Sequence, residues 1–170
     1  MDSALPARLP ARRDALLIAA AALGVNLIGA TGVPFTATES AWFTALELPA
    51  YYPPNWAFGV VWPILYALIG AAAGLVYLTG RDGTASSGRV RTALGLFALQ
   101  LAVNVAWSPV FWGLERPDLG LVVLVVLLAL VAGTIAAFAR VERRAALLLI
   151  PYFAWVCFAT ALNYGIWALN

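Results

Sequence analysis

The sequence predicts an all-α integral membrane protein, a bundle of five transmembrane helices, and three observations carry that prediction. Long apolar stretches occupy about 15–35, 57–79, 92–113, 119–139 and 145–169, and none of them contains Asp, Glu, Lys or Arg. Each runs to about 20 residues, which at roughly 1.5 Å per helical residue matches a hydrocarbon core of about 30 Å. Apolar residues make up 64% of the chain, well above the ordinary globular share of about 45–50%, so one membrane domain, 1–170, uses up the sequence. Without water to bond the backbone, a spanning segment must be a helix or a closed-barrel strand. These runs are too long and too unalternating for strands.

The first span follows Arg12 and Arg13 and carries a single amide, Asn26. The arrangement has the outline of a secretory signal, with Gly29, Ala30 and Gly32 as cleavage-type small residues, but Asn26 and the length through Phe35 suit a retained helix better. The connection 36–55 is stiff and aromatic: it holds Trp42, Phe43, Tyr51 and Tyr52 together with Pro49, Pro53 and Pro54. Adjacent prolines restrict themselves and the residues before them, and Ser40 is placed to cap a short helix through Leu46. Such a segment suits either a lid over one end of the bundle or an interfacial aromatic belt.

In the second span Trp62 and Tyr66 lie one turn apart, and Gly70 and Gly74 form a GxxxG unit. Pro63 and Pro151 are read as lying near helix starts, where a missing amide donor matters little. The connection 80–88, GRDGTASSG, is polar and rich in Gly and Ser. On the third span Gln100, Asn104, Trp107 and Phe111 form one stripe at helical spacing, and Ala98, Ala102 and Ala106 form another roughly opposite. Small residues every fourth position let backbones approach closely, whereas amides in hydrocarbon need a partner helix or a polar ligand. The fifth span puts Trp155, Ala159, Leu162 and Asn163 on one broad face. Taken singly, a buried Trp is usually core filling; three such faces point to a shared pocket.

What is missing narrows the chemistry. There is no His and no Lys, and the lone Cys157 lies inside the fifth span. That removes His-based triads, imidazole metal sites, Schiff bases, CxxC pairs and intrachain disulfides, so no metal site is expected. All ten basic residues are Arg, but they are scattered among loops without forming a basic face, and no nucleic-acid partner is expected. Their placement is lopsided. Arg8, Arg12 and Arg13, then Arg81, Arg89 and Arg91, then Arg140, Arg143 and Arg144 fall on one side, and only Arg116 on the other. The positive-inside rule then gives a cytoplasmic N-terminus and an external C-terminus.

Three strings carry a resemblance: PPNWAFGVVWPILY (53–66), ALQLAVNVAWSPVFWG (98–113) and IPYFAWVCFATALNYGIWALN (150–170). With the Trp42–Phe43 pair ahead of them, they resemble the translocator protein, or tryptophan-rich sensory protein, family (TspO/MBR) over about residues 42–170. The resemblance implies a five-helix membrane bundle, often dimeric, and the arginine asymmetry makes a bacterial cell membrane the expected location. It also implies binding of tetrapyrroles such as protoporphyrin IX, and in some members sterols and benzodiazepine-type drugs, in a pocket below the first loop. Residue by residue, it assigns pocket roles to Trp62 and Trp155, to Asn104 and Trp107, to the small Ala159 with Leu162 one turn on, and to Phe43 in the place of a family Tyr. Porphyrin enters as ligand, and no cofactor is required. Trp62 and Trp155 are the pair that the family associates with light-dependent porphyrin breakdown, and they are the only catalytic candidates.

The chain also departs from the pattern. Leu48, Pro49, Ala50 and Tyr51 stand where the family has K-P-x-W, losing the cation and exchanging indole for phenol, and with Phe43 these changes are expected to remove polar contacts from the lid. No basic residue follows Tyr164, so the animal sterol motif is incomplete. Three function classes follow: a receptor or carrier for a flat apolar ligand, a porphyrin-degrading enzyme, and an ion-driven transporter. Charge-free spans argue against the last, and an enzyme here would depend on the ligand's own photochemistry. The receptor or carrier is the preferred reading.

Overall fold

The computed structural model describes residues 12–170, so Arg8 lies outside the described residues. It is helical throughout, with α1 Arg12–Ala30, α2 Ala41–Thr44, α3 Asn55–Arg81, α4 Ser87–Ser108, α5 Pro117–Ala139, α6 Arg143–Leu148 and α7 Ile150–Leu169. Five segments are long and apolar enough to cross a membrane: Arg12–Phe35, Asn55–Arg81, Ser87–Gly113, Pro117–Ala139 and Arg143–Leu169.

Prolines account for most of the places where the spans depart from single helices. Pro34 stops the first span, which ends in a 3₁₀ turn at Val33–Phe35. Pro109 has no N–H to give, and the third span leaves the α-helix at Ser108 for a wide π turn, Pro109–Gly113, closed by Leu114 N–H donating to the Pro109 carbonyl at 3.0 Å. Glu115 then adopts a left-handed φ of 55° before Pro117 opens α5. Pro151 breaks the fifth span at Leu149, dividing it into α6 and α7. Pro63 overturns its expectation. Pro53 and Pro54 place the start of α3 at Asn55, so Pro63 lies inside the helix and leaves the Gly59 carbonyl without its usual donor.

Packing follows the small residues. Gly70 and Gly74 are buried against α1, where a Cβ on Gly70 would meet the Ala22 Cα at 2.6 Å and one on Gly74 the Ile18 Cα at 3.1 Å. The GxxxG unit is therefore committed within the chain and is not free to pair two copies. α5 packs on α4, α6 and α7, and α3 packs on α6 and α4. The core between them is aliphatic, with Ile69, Val76, Leu127, Val131, Leu149 and Val156 fully buried. Among the described residues, every Arg except Arg116 lies at the end of the bundle formed by the start of α1, the α3–α4 connection and the α5–α6 connection. There Arg81 pairs with Asp14 at 2.9 Å, tying α3 to α1.

Candidate ligand cavity

The break at Leu149 opens the site. The piece before it, α6, packs on α3, the piece after it, α7, packs on α5, and the backbones of α3 and α7 stand apart, meeting through aromatic rings. Between them, on the side away from most of the arginines, lies a cavity of about 480 Å³. That is within the roughly 300–1,000 Å³ range of small-molecule sites.

Aromatic rings form most of its wall. Trp62 stacks on Tyr66 with centroids 5.3 Å apart and meets Trp155 edge-on at 6.4 Å. Phe58 also sits edge-on to Trp155, and Trp107 stacks on Phe111 at 4.9 Å. All seven pocket residues expected from the sequence, Phe43, Trp62, Asn104, Trp107, Trp155, Ala159 and Leu162, line this one cavity.

Polar groups enter the wall at a few fixed points. The Tyr66 hydroxyl donates to Asn104 Oδ1 at 2.8 Å. Trp107 Nε1 donates to Asn163 Oδ1 at 3.1 Å, while Asn163 Nδ2 donates to the Pro117 carbonyl at 2.7 Å, which ties α7 to the start of α5. Gly120 makes room for this: a Cβ there would meet Asn163 Oδ1 at 2.9 Å. Among the described residues Trp155 Nε1 is buried with no hydrogen-bond partner. A buried donor left unmade costs about 1–3 kcal/mol.

The amide stripe of α4 divides into two roles. Gln100 is fully buried, accepts from the Tyr152 hydroxyl at 2.9 Å and lies outside the cavity wall, so it joins α4 to α7. Asn104 joins α4 to α3 through Tyr66 and also faces the cavity. The opposite stripe, Ala98, Ala102 and Ala106, is exposed on the outside of the bundle.

The connection between α1 and α3 crosses the cavity end of the bundle. Ser40 caps α2 by accepting from Phe43 N–H, and the short helix ends at Thr44. Phe43 is buried, packs on Trp112 at 4.5 Å and faces the cavity, while Trp42 meets Phe111 edge-on at 5.6 Å. Trp56, 71% exposed, fits an interfacial aromatic on this side. The expectation that the altered motif only removes polar contacts is corrected here: the Tyr51 hydroxyl donates to the Ala161 carbonyl of α7 at 3.0 Å. The Asn170 side chain holds Glu47 twice, accepting from its N–H at 2.9 Å and donating to its carbonyl at 3.0 Å. Burial raises the Tyr52 phenol above its ordinary value, keeping it a neutral donor, and it reaches Asn55 Oδ1 at 3.3 Å.

Sequence reasoning missed the contribution of α1 and the turn that follows it. Asn26, Gly29, Ala30 and Gly32 line the cavity, and Gly29 is pressed so closely on Tyr66 that any Cβ would overlap the ring. The signal was present in the small residues at 29, 30 and 32, which also fit a cleavage site.

These features define a multi-pass membrane protein whose bundle encloses an aromatic, sparsely polar cavity. The sequence pattern of the TspO/MBR family matches residues 16–168, and the chain belongs to that family. It is 40% identical over 157 residues to the tryptophan-rich protein TspO of Chlorobaculum tepidum, covering 91% of this chain and 97% of that one. Against the human translocator protein it is 37% identical over 129 residues, covering 76% and 75% of the two chains. The tryptophan-rich sensory protein of Cereibacter sphaeroides is 35% identical over 153 residues, covering 88% and 92%.

Proposed function

We propose that this protein is a membrane receptor or carrier that holds a porphyrin of the protoporphyrin IX kind, or a similarly flat, sterol-like apolar molecule, in the cavity between α3, α4 and α7. One observation carries the reading: the rings of Trp62, Tyr66, Trp107 and Trp155 line a single cavity. A flat ligand gains from burying apolar area against such rings, and a stacked or edge-on indole adds about 0.5–1.5 kcal/mol beyond burial. The test is titration of the detergent-purified protein with protoporphyrin IX in the dark, following Trp fluorescence and the porphyrin absorption band. Saturable quenching is the expected result; its absence overturns the reading.

A second reading, porphyrin degradation driven by light and oxygen, has its own support in the adjacent indoles of Trp62 and Trp155. Illumination separates the two, because loss of the absorption band means turnover and an unchanged band means binding alone.

Two further features belong to the proposal. The uncovered small stripe of α4 fits a homodimer interface, and Ala102→Leu is expected to weaken crosslinked dimer while sparing ligand binding. The one-sided arginines fit a bacterial cell membrane with the N-terminus cytoplasmic, so a reporter fused after Asn170 is expected outside.

A further inference from the structure

We infer that the cavity opens sideways into the membrane, through a gap between α1 and α3, and that its ligand enters there from the lipid. The inference rests on reading the cavity as a ligand site. Gly59, Pro63, Gly70 and Gly74 fall within about 60° of one another around α3, at roughly 100° per residue. α1 covers only part of that face. At Gly70 and Gly74 its backbone is in direct contact, but among the described residues a Cβ on Gly59 would meet no heavy atom within 4 Å, and Pro63 is exposed. Toward this end the turn that follows α1 packs on α4 instead, where a Cβ on Gly32 would meet Ser108 Oγ at 2.8 Å. The two helices part just beyond the contact of Gly29 with Tyr66.

The gap is continuous with the cavity, since Ala30 and Val33 on one edge and Gly59 and Pro63 on the other all belong to its wall. These positions on α3 lie about 6–12 Å along the axis from Asn55, at a depth that meets lipid rather than water. Pro63 has no N–H for the Gly59 carbonyl, and an unbonded carbonyl is tolerated at that depth where it lines a cavity. Thr36 and Asn55 add polar groups at the outer rim. An entrant with a flat apolar body and a polar edge suits this lining. The route through the end of the bundle is closed by comparison, because Asn170 and Tyr51 pin the connection to α7.

Two measurements in lipid vesicles test the inference. In a Cys157→Ser background, a nitroxide attached at Gly59→Cys is expected to collide with dissolved oxygen, which partitions into lipid, far more often than with a water-soluble nickel chelate. Dominant access by the chelate, or access by neither, overturns the opening. Gly59→Phe adds bulk at the mouth of the gap, where the fold has space, and is expected to slow the arrival of protoporphyrin IX about tenfold. Parent-like rates overturn the entry route even if the nitroxide is lipid-facing. If the parent itself binds no protoporphyrin IX, the proposed ligand class fails, whereas the nitroxide result still decides whether the opening exists.

Discussion

The two halves of this bundle use similar residues to opposite ends. Toward the arginine-rich end, glycine and alanine bring α1 and α3 into backbone contact, and aliphatic side chains fill the space behind them. Toward the other end glycine on the same face of α3 faces open space, and large rings pack on one another around a cavity. Small residues close a bundle only where a partner backbone arrives, and the course of that partner is set elsewhere in the chain. Here the breaks at Pro109 and Pro151 and the packing of the turn after α1 on α4 separate the helices.

The largest effect is expected in the closed half. Gly70→Leu has no room, because its Cβ would meet the Ala22 Cα at 2.6 Å and the Ala21 carbonyl oxygen at 2.7 Å, both backbone atoms. Overpacking of this kind costs about 1–3 kcal/mol, and the upper end is expected because backbone cannot swing aside. Heating in detergent, followed by loss of the monodisperse peak, reads it out. Parent-like heat resistance would mean that α1 is loosely held and that the two halves differ less than the packing indicates.

In the open half the corresponding substitution acts on binding instead. Ala159→Leu projects into the cavity and is expected to weaken protoporphyrin IX binding at least about tenfold, roughly 1.4 kcal/mol, with unchanged helicity and heat resistance. Unchanged affinity would place the ligand away from α7. Tyr66→Phe probes the boundary between the halves. It removes the donor to Asn104 Oδ1 while keeping the ring on Trp62 and Gly29. The expected cost is about 1 kcal/mol in stability, seen as a small drop in the unfolding temperature. No drop would mean that Asn104 finds another donor.

The spans, and the faces that meet in the cavity, were legible from the sequence because hydrophobic length and helical spacing are local properties. Trp155, Ala159 and Leu162 share a face whatever their surroundings, and so do Asn104 and Trp107. What could not be read depends on where helices go relative to each other. The pairing of Gly70 with α1, the contribution of Gly29 to the wall, and the division of labour between Gln100 and Asn104 all require knowing which helix lies opposite. Pro63 was misplaced for a simpler reason: the start of α3 is set by Pro53 and Pro54, upstream of the uninterrupted apolar run.

The smallest effect concerns the connection that crosses the open half. Tyr51 is half exposed, and its hydroxyl makes one bond to the Ala161 carbonyl, while its oxygen and Pro49 also lie against Gly165, where a Cβ would meet them at 2.5 and 3.1 Å. Tyr51→Phe removes the hydrogen bond and keeps the ring. A single exposed bond contributes about 0.5–1 kcal/mol, which corresponds to an increase of about two- to fivefold in local opening. Hydrogen exchange across residues 47–52 is expected to quicken by that factor, with the amides of the closed half unaffected. Because Asn170 still holds Glu47 at two points, a much larger increase would mean that the phenol is the main fastening. No increase at all would assign that role to the asparagine and the packing on Gly165, leaving the exchange of indole for phenol at this position without consequence for how firmly the cavity end is covered.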